Sequence, residues 1–290
     1  MPVSLVFGAT GAIGRFLLPR LLDAGHEIVA VSRVPRVSHA ARLEWITGDL
    51  PDGFATSRTC DTILSLGPLD AFAQWLAASR IADRPRIVAI GSLSERTKRT
   101  SRDPAERALA ERLATAERTL AAAAQARGSV ATILRASLVW GAGLDRSLTP
   151  IAALAQRSHV FPLAPGARGL RQPVHADDLA GACVALAGMP ATGGAYDVGG
   201  GERLPFSTML ARVRASLPFA TLPIPIPIAL ARAGIGLARR LPAFGAASTS
   251  ALDRLGEDLV VDDAAAAADF GWNPRGFHPD MSAWTPPPLP

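Results

Sequence analysis

The sequence predicts an α/β protein in which a doubly wound parallel sheet carries a smaller C-terminal lobe, and three observations carry that prediction. Short apolar runs of strand character alternate with segments of helical period from residue 3 to residue 140. A glycine-rich turn, Gly8 to Gly14, lies between the first such run and the first such helix. No repeat, low-complexity tract or linker interrupts the chain before about residue 141.

Val3-Ser4-Leu5-Val6-Phe7 reads as a buried strand that runs straight into Gly8-Ala9-Thr10-Gly11-Ala12-Ile13-Gly14. At such a turn the chain must reverse tightly, bring bare main chain against a pyrophosphate and start a helix close to the sheet. Gly8, Gly11 and Gly14 each meet a step where a Cβ would collide. The N–H groups opening the helix then face the phosphates, which makes Gly8, Thr10, Gly11, Ala12, Ile13 and Gly14 the candidate dinucleotide-binding residues. A glycine triplet alone is a weak signal, and the flanking strand and helix give it its meaning.

Residues 15–24 place Phe16, Leu17, Leu18, Leu21 and Leu22 at helical spacing, Gly25 offers a stop, and residues 26–32 form a second strand. Where that strand ends, an acidic side chain would accept from a free ribose 2′-hydroxyl and repel a 2′-phosphate. This chain has Ser32-Arg33 there, with Arg36 close by, a pattern that favours NADP over NAD because guanidinium pairs with phosphate oxygens in a fork. Residues 43–47 form a third strand, after which Asp49 either meets the adenine or caps a turn. Strands at 62–66, 86–91 and 130–140 alternate with helices at 70–80 and 104–126, and Leu66-Gly67 ends the fourth strand beside the turn. Asp103 as N-cap, Pro104 at the first helical position and Glu106 shortly after specify the start of the long helix.

With 290 residues, 49% of them hydrophobic and 6% aromatic, the chain is long and apolar enough for one large core and a second lobe, which excludes global disorder. The boundaries are residues 1–140 for the dinucleotide-binding unit, with strand and helix returns from 174–200, and 141–290 for the substrate lobe. Cys60 and Cys183 are too few for a disulfide framework or a metal site and read as small buried hydrophobes. The charge of +5 comes from arginines scattered among acids, not from a cluster interleaved with aromatics, so nucleic acid is not the expected partner. No export signal precedes the first strand, which points to the cytoplasm. Leu222 to Pro227 leads into an apolar stretch, 228–241, broken by Arg232. It reads as a lobe helix or a surface amphipathic one and not as a membrane span. Thr285 to Pro290, rich in proline, is expected to fray.

Five blocks occur in an order that resembles the extended branch of the short-chain dehydrogenase/reductase superfamily, the nucleotide-sugar epimerases and dehydratases. They are Gly8 to Gly14; Leu134-Arg-Ala-Ser-Leu-Val-Trp-Gly-Ala-Gly143; Arg171-Gln-Pro-Val-His-Ala-Asp-Asp-Leu-Ala180; Ala195-Tyr-Asp-Val-Gly-Gly-Gly201; and Asp269-Phe-Gly-Trp-Asn-Pro274. The resemblance implies a Rossmann-type sheet, a nicotinamide cofactor, a nucleotide-linked sugar as substrate and a homodimer formed through long helices. It makes Ser92 the hydroxyl that bonds the reacting oxygen. It also brings Trp140 and the loop to Asp145 over nicotinamide and sugar, and sets Arg171 against a substrate diphosphate or, on the plainer reading, in a surface ion pair. His175 before a helix cap reads as structural.

One departure bears on mechanism. The resemblance implies a tyrosine and a lysine four residues apart on the long helix, where the lysine lowers the phenol pKa for proton exchange. Here the one tyrosine is Tyr196, and the helix carries Glu106, Arg107, Glu111 and Arg112 at the spacing of a solvated face. Lys98, the one lysine in the chain, follows the strand that ends at Ser92 and is the candidate replacement, because a desolvated ammonium can give up a proton where guanidinium does not. Two readings therefore stand: an NADP(H)-dependent oxidoreductase or epimerase using Ser92 and Lys98, or a cofactor-binding sensor or structural subunit of little activity.

Overall fold

The structure, a computed structural model, describes residues 1–54, 56, 58–81, 83–164, 166–189, 192–227, 252 and 254–290. In chain order its first half runs β1 (Val3–Phe7), α1 (Ala12–Asp23), β2 (Glu27–Ser32), β3 (Leu43–Thr47), β4 (Thr62–Ser65), α2 (Leu69–Ala78), β5 (Arg86–Ser92), α3 (Ser94–Thr97), α4 (Pro104–Ala126) and β6 (Ala131–Ala136). The second half runs β7 (Val139–Trp140), α5 (Thr149–Ser158), β8 (Val160–Leu163), β9 (Leu170–Arg171), β10 (Val174–His175), α6 (Ala176–Gly188), β11 (Gly194–Val198), β12 (Leu204–Pro205), α7 (Phe206–Ala215), β13 (Leu222–Pro225) and α8 (Ala264–Phe270).

Seven strands form one parallel sheet in the order β11-β6-β5-β4-β1-β2-β3. Its inner strands are apolar on both faces because helices cover both. On one face α1 and α6 bury Leu17, Leu18, Leu21, Leu179 and Cys183; on the other α2 and α4 bury Phe72, Trp75, Leu76, Leu120 and Cys60. Both cysteines are free, and burial raises the thiol of Cys60 to about 11 and that of Cys183 to about 12, as the small-hydrophobe reading requires. Ser4, buried in β1, bonds His26 Nδ1 at 2.8 Å. A third core, built on Trp140, Phe161, Met209, Phe277 and Trp284, holds the lobe together.

Four expectations change. Residues 130–140 are two strands: Ser137 N–H makes the last bond to β11, on Val198 O at 3.0 Å, its hydroxyl donates to Gln172 O, and from Leu138, whose carbonyl accepts from Val174 N–H at 2.9 Å, the chain pairs with β10. The first helix begins at Ala12, three residues before the apolar period becomes visible. The C-terminal tail is docked rather than frayed, with Pro287 O accepting from Arg15 and Leu289 against the core beside α1. Glu106 is not solvated: its side chain is 8% exposed and its carboxylate accepts from Ser101 Oγ at 2.7 Å. Arg107, Glu111 and Arg112 are exposed as expected. Residues 228–241 lie outside the described residues.

Candidate functional site

The crevice opens at the C-terminal ends of β1, β4, β5 and β6, where a doubly wound sheet places its ligands. Gly8 takes φ +75°, and a Cβ there would come 2.9 Å from the main chain of Leu66 and Gly67. At Gly14 a Cβ would lie 2.3 Å from Ala9 O, so any larger residue pushes α1 off the turn. Gly11, the N-cap of α1, supplies no side-chain cap, and the first helical turn holds no acid. The positive end of the helix, with the N–H groups of Ala12 and Ile13, is thus left to an anion, and Thr10 and Ile13 flank it. This cradle fits a dinucleotide pyrophosphate.

At the ribose end, Ser32 Oγ accepts from Val34 N–H at 3.3 Å and from Arg36 Nε at 3.2 Å. The Arg36 guanidinium lies 5.7 Å over the Trp45 ring, and Arg33 is exposed. Burial first, and then repulsion from Arg36, holds Arg15 below the ordinary arginine value, so Arg15 joins this basic corner. None of the three has a carboxylate within ion-pair distance among the described residues. Sequence reasoning missed Arg15 because nothing local tells a helix-face arginine from one turned toward a neighbouring strand. Asp49 is exposed and holds its own turn, its Oδ1 accepting from Leu50 N–H at 2.9 Å.

Ser92, Lys98 and Arg171 come together on a cavity of about 510 Å³, lined also by Ser94, Thr97, Ser137 and the loop Leu144 to Ser147. Ser92 Oγ accepts from Ser94 N–H at 3.2 Å. Lys98 Nζ stands 3.1 Å from Glu106 Oε1, which Arg254 also meets at 2.7 Å. Glu106 and Arg254 are thus further members that sequence reasoning missed, since the pairing joins α4 to a residue 148 positions away. Asp145 is spent on the start of α5, accepting from Ser147 N–H at 2.9 Å and Leu148 N–H at 2.6 Å.

Two placements differ from expectation. Trp140 is 3% exposed, edge-on to His175 and Phe277 at 4.5 and 4.8 Å between centroids, and lines neither this cavity nor its neighbour. The bulk of the indole is needed by the lobe core, and the loop after it takes the facing position. Arg171 is no surface ion pair: it is 5% exposed, and its guanidinium donates to Leu170 O, Glu257 O and Arg254 O at 2.7–2.8 Å while lying over Phe206. Burial first, then Arg254, lowers its pKa. His175 is structural, its Nδ1 accepting from Asp177 N–H at 3.1 Å. Tyr196 donates to Asp269 at 2.6 Å from the edge strand β11. No group of His, Cys, Asp or Glu among the described residues could hold a metal ion, and no helix among them is long and apolar enough to cross a membrane.

Residues 4–68, the β1 turn through the end of β4, match the model of the NAD dependent epimerase/dehydratase family. No curated protein matches the chain by sequence. Among solved structures, a UDP-galactose 4-epimerase superposes with a TM-score of 0.68 at 14% identity, covering 98% of this chain and 97% of its own. The Bordetella bronchiseptica enzyme WbmH in complex with NAD+ gives 0.63 at 16% identity, covering 93% and 92%. The terminal R domain from the myxalamid PKS-NRPS biosynthetic pathway gives 0.68 at 19% identity, covering 98% and 88%. The likeness to the NAD dependent epimerase/dehydratase family by sequence is confined to residues 4–68, and the chain as a whole shares the fold of the UDP-galactose 4-epimerase and of WbmH.

Proposed function

We propose that the protein is an oxidoreductase that holds NADP(H) at the Gly8 to Gly14 turn and exchanges hydride with an oxygen-bearing carbon of a small anionic substrate in the cavity at the end of β5. The observation that carries this reading is a shared sheet edge: an uncapped α1 N-terminus over a turn with no room for a Cβ follows β1, and a basic, hydroxyl-lined cavity lies at the end of β5, two strands away in the same parallel sheet. NADP is favoured over NAD because Arg36 holds Ser32 Oγ, Arg33 follows Ser32 in the chain and Arg15 feels the charge of Arg36, with no carboxylate partner for any of them among the described residues. The cofactor, when bound, supplies or accepts the hydride.

The chain's own residues handle the oxygen. Ser92 Oγ has its lone pair engaged by Ser94 N–H, which leaves its proton for the reacting oxygen. Lys98, oriented by Glu106, is the proton donor in place of the missing phenol. A nucleotide-linked sugar meets the cavity's charge through its diphosphate, with Arg171 held in the wall and Arg146 in the loop. The same reading takes the protein as a homodimer packed through the outer faces of α2 and α4, where alanines of α4 permit close approach. The absence of tyrosine and lysine from α4 favours the second reading, a cofactor-binding sensor.

Titration calorimetry is expected to give NADPH binding at least tenfold tighter than NADH, with Arg36→Gln narrowing the gap and leaving NADH unchanged. If none of NAD+, NADH, NADP+ and NADPH binds, the proposal fails. Incubation with NADPH and nucleotide-linked ketosugars, followed by absorbance loss, separates the two readings. Tight NADPH binding with no turnover of any of them favours the sensor.

A further inference from the structure

A second cavity, of about 500 Å³, adjoins the first and differs from it in chemistry. Its walls come from the lobe: Leu148 at the head of α5, Ile151 of α5, Leu163 of β8, Phe206 and Leu210 of α7, and Leu255. Six residues, Leu138, Arg146, Ser147, Arg171, Arg254 and Leu259, line both cavities, so the two share a junction. Among the described residues, every polar side chain lining the second cavity belongs to that junction. A nucleoside needs donors and acceptors for its base and ribose, and a site lacking them leaves those groups unpaired.

The junction carries excess positive charge. Arg171 gives its hydrogen bonds to main-chain carbonyls, and neither it nor Arg146 has a carboxylate within ion-pair distance among the described residues. Arg254 shares Glu106 with Lys98, and its buried Nε has no hydrogen-bond partner among the described residues. Asp145, the one acid among the described residues lining the first cavity, is spent on main-chain N–H groups. Cations surplus to their counterions, beside an aliphatic chamber, are complementary to an amphipathic anion.

We propose that the substrate is an acyl-type compound with a carboxylate or phosphate near its reacting carbon and an aliphatic body, and that the second cavity holds that body. This goes beyond the proposed function, replacing the nucleotide-linked sugar at the arginine junction by an anion with an aliphatic body, and it rests on reading the first cavity as the place of reaction. The anion sits at the arginine junction, the reacting carbon at Ser92, and the hydrocarbon between α5, α7 and β8.

Straight-chain carboxylates of six to twelve carbons, with alkanols of equal length and UDP as comparisons, test this by calorimetry on the NADPH-loaded protein. Carboxylate affinity is expected to rise roughly three- to fourfold per methylene until the chamber is filled. Arg146→Gln should weaken carboxylates about tenfold and alkanols little. Ile151→Phe, which fills the chamber without adding charge, should move the optimum to shorter chains, and Ile151→Glu should abolish the length dependence, with NADPH affinity unchanged in both as the control for folding. A flat response to chain length, a length dependence that survives both Ile151 variants, or UDP binding tighter than decanoate overturns the inference while NADPH binding stands. Should no coenzyme bind, the proposed reaction fails, and the same carboxylate series on the unloaded protein still decides the chamber.

Discussion

A Cβ at Gly141 would lie 2.2 Å from His175 Nε2, and the imidazole is closed in further by the rings of Trp140 and Phe16. Burial, and then the charge of Arg275, lowers its pKa to about 4 against the raising effect of Asp178, Asp177 and Asp280. In the unfolded chain the ordinary value is about 6.5. The folded state therefore holds His175 neutral, and its contribution is present above about pH 6.5 and lost progressively as the pH falls toward 4, by at most about 3 kcal/mol. Urea midpoints measured across that window are expected to drop. His175→Asn, which keeps an N-cap acceptor for α6, should flatten the slope to the smaller part left by His26, also lowered by burial. An unaltered slope in His175→Asn would contradict the assignment. At this scale the sequence was readable where a residue's role is set by its immediate neighbours. Gly8, Gly14 and Ser92 owe their places to the strand ends beside them. Glu106 as a solvated residue and the surface-ion-pair alternative for Arg171 did not hold, because a charged side chain looks the same in sequence whether it meets water or a buried partner.

Arg135 on β6 ties four elements together. Its guanidinium meets Glu117 of α4 at 2.5 Å, Asp197 of β11 at 3.3 Å and Glu95 of α3 at 3.9 Å, and hydrogen bonding to Glu117 above all raises its pKa. Asp197 also has Arg96, and Glu95 has Arg99, so Glu117 depends most on Arg135. Removing one member of a buried pair leaves an uncompensated charge, so Arg135→Met is expected to cost about 3–5 kcal/mol in urea unfolding. Adding Glu117→Leu should recover a large share of that loss. A double variant as unstable as the sum of the two single variants would show that the pair is not coupled. Elements were legible where a local signal governs them: β1, β3 and α4 fall on their expected residues, β1 as a buried apolar run and α4 from the Asp103 cap and Pro104 that fix its start. The run 130–140 was not, because the change of partner after Ser137 is made by Gln172 and Val174, far away in sequence, and no local pattern carries that information.

Across the whole molecule, the lobe and the sheet are interwoven rather than joined by a hinge. After β7 and α5 the chain comes back to lay α6 against α1 and β11 against β6, then leaves again for the lobe. Gln172 fastens the crossing, its side-chain amide donating to Gly200 O at 3.0 Å and its oxygen accepting from Val261 N–H at 2.9 Å. Arg275 joins the C-terminal region to Asp177 and Asp178 at the head of α6, at 2.7 and 2.8 Å. The third core closes on Trp284, whose indole N–H donates to Ser216 Oγ at 2.8 Å. A cut between sheet and lobe would break all of these at once, which argues for one cooperative unit. Differential scanning calorimetry is therefore expected to give a single transition. NADPH at a hundredfold excess over its Kd should add about 2.7 kcal/mol and move that whole transition upward by on the order of 5 °C. Two transitions, of which only one responds to NADPH, would mean that the lobe unfolds apart from the sheet that binds the cofactor, and the crossing at Gln172 would then be too weak to couple them.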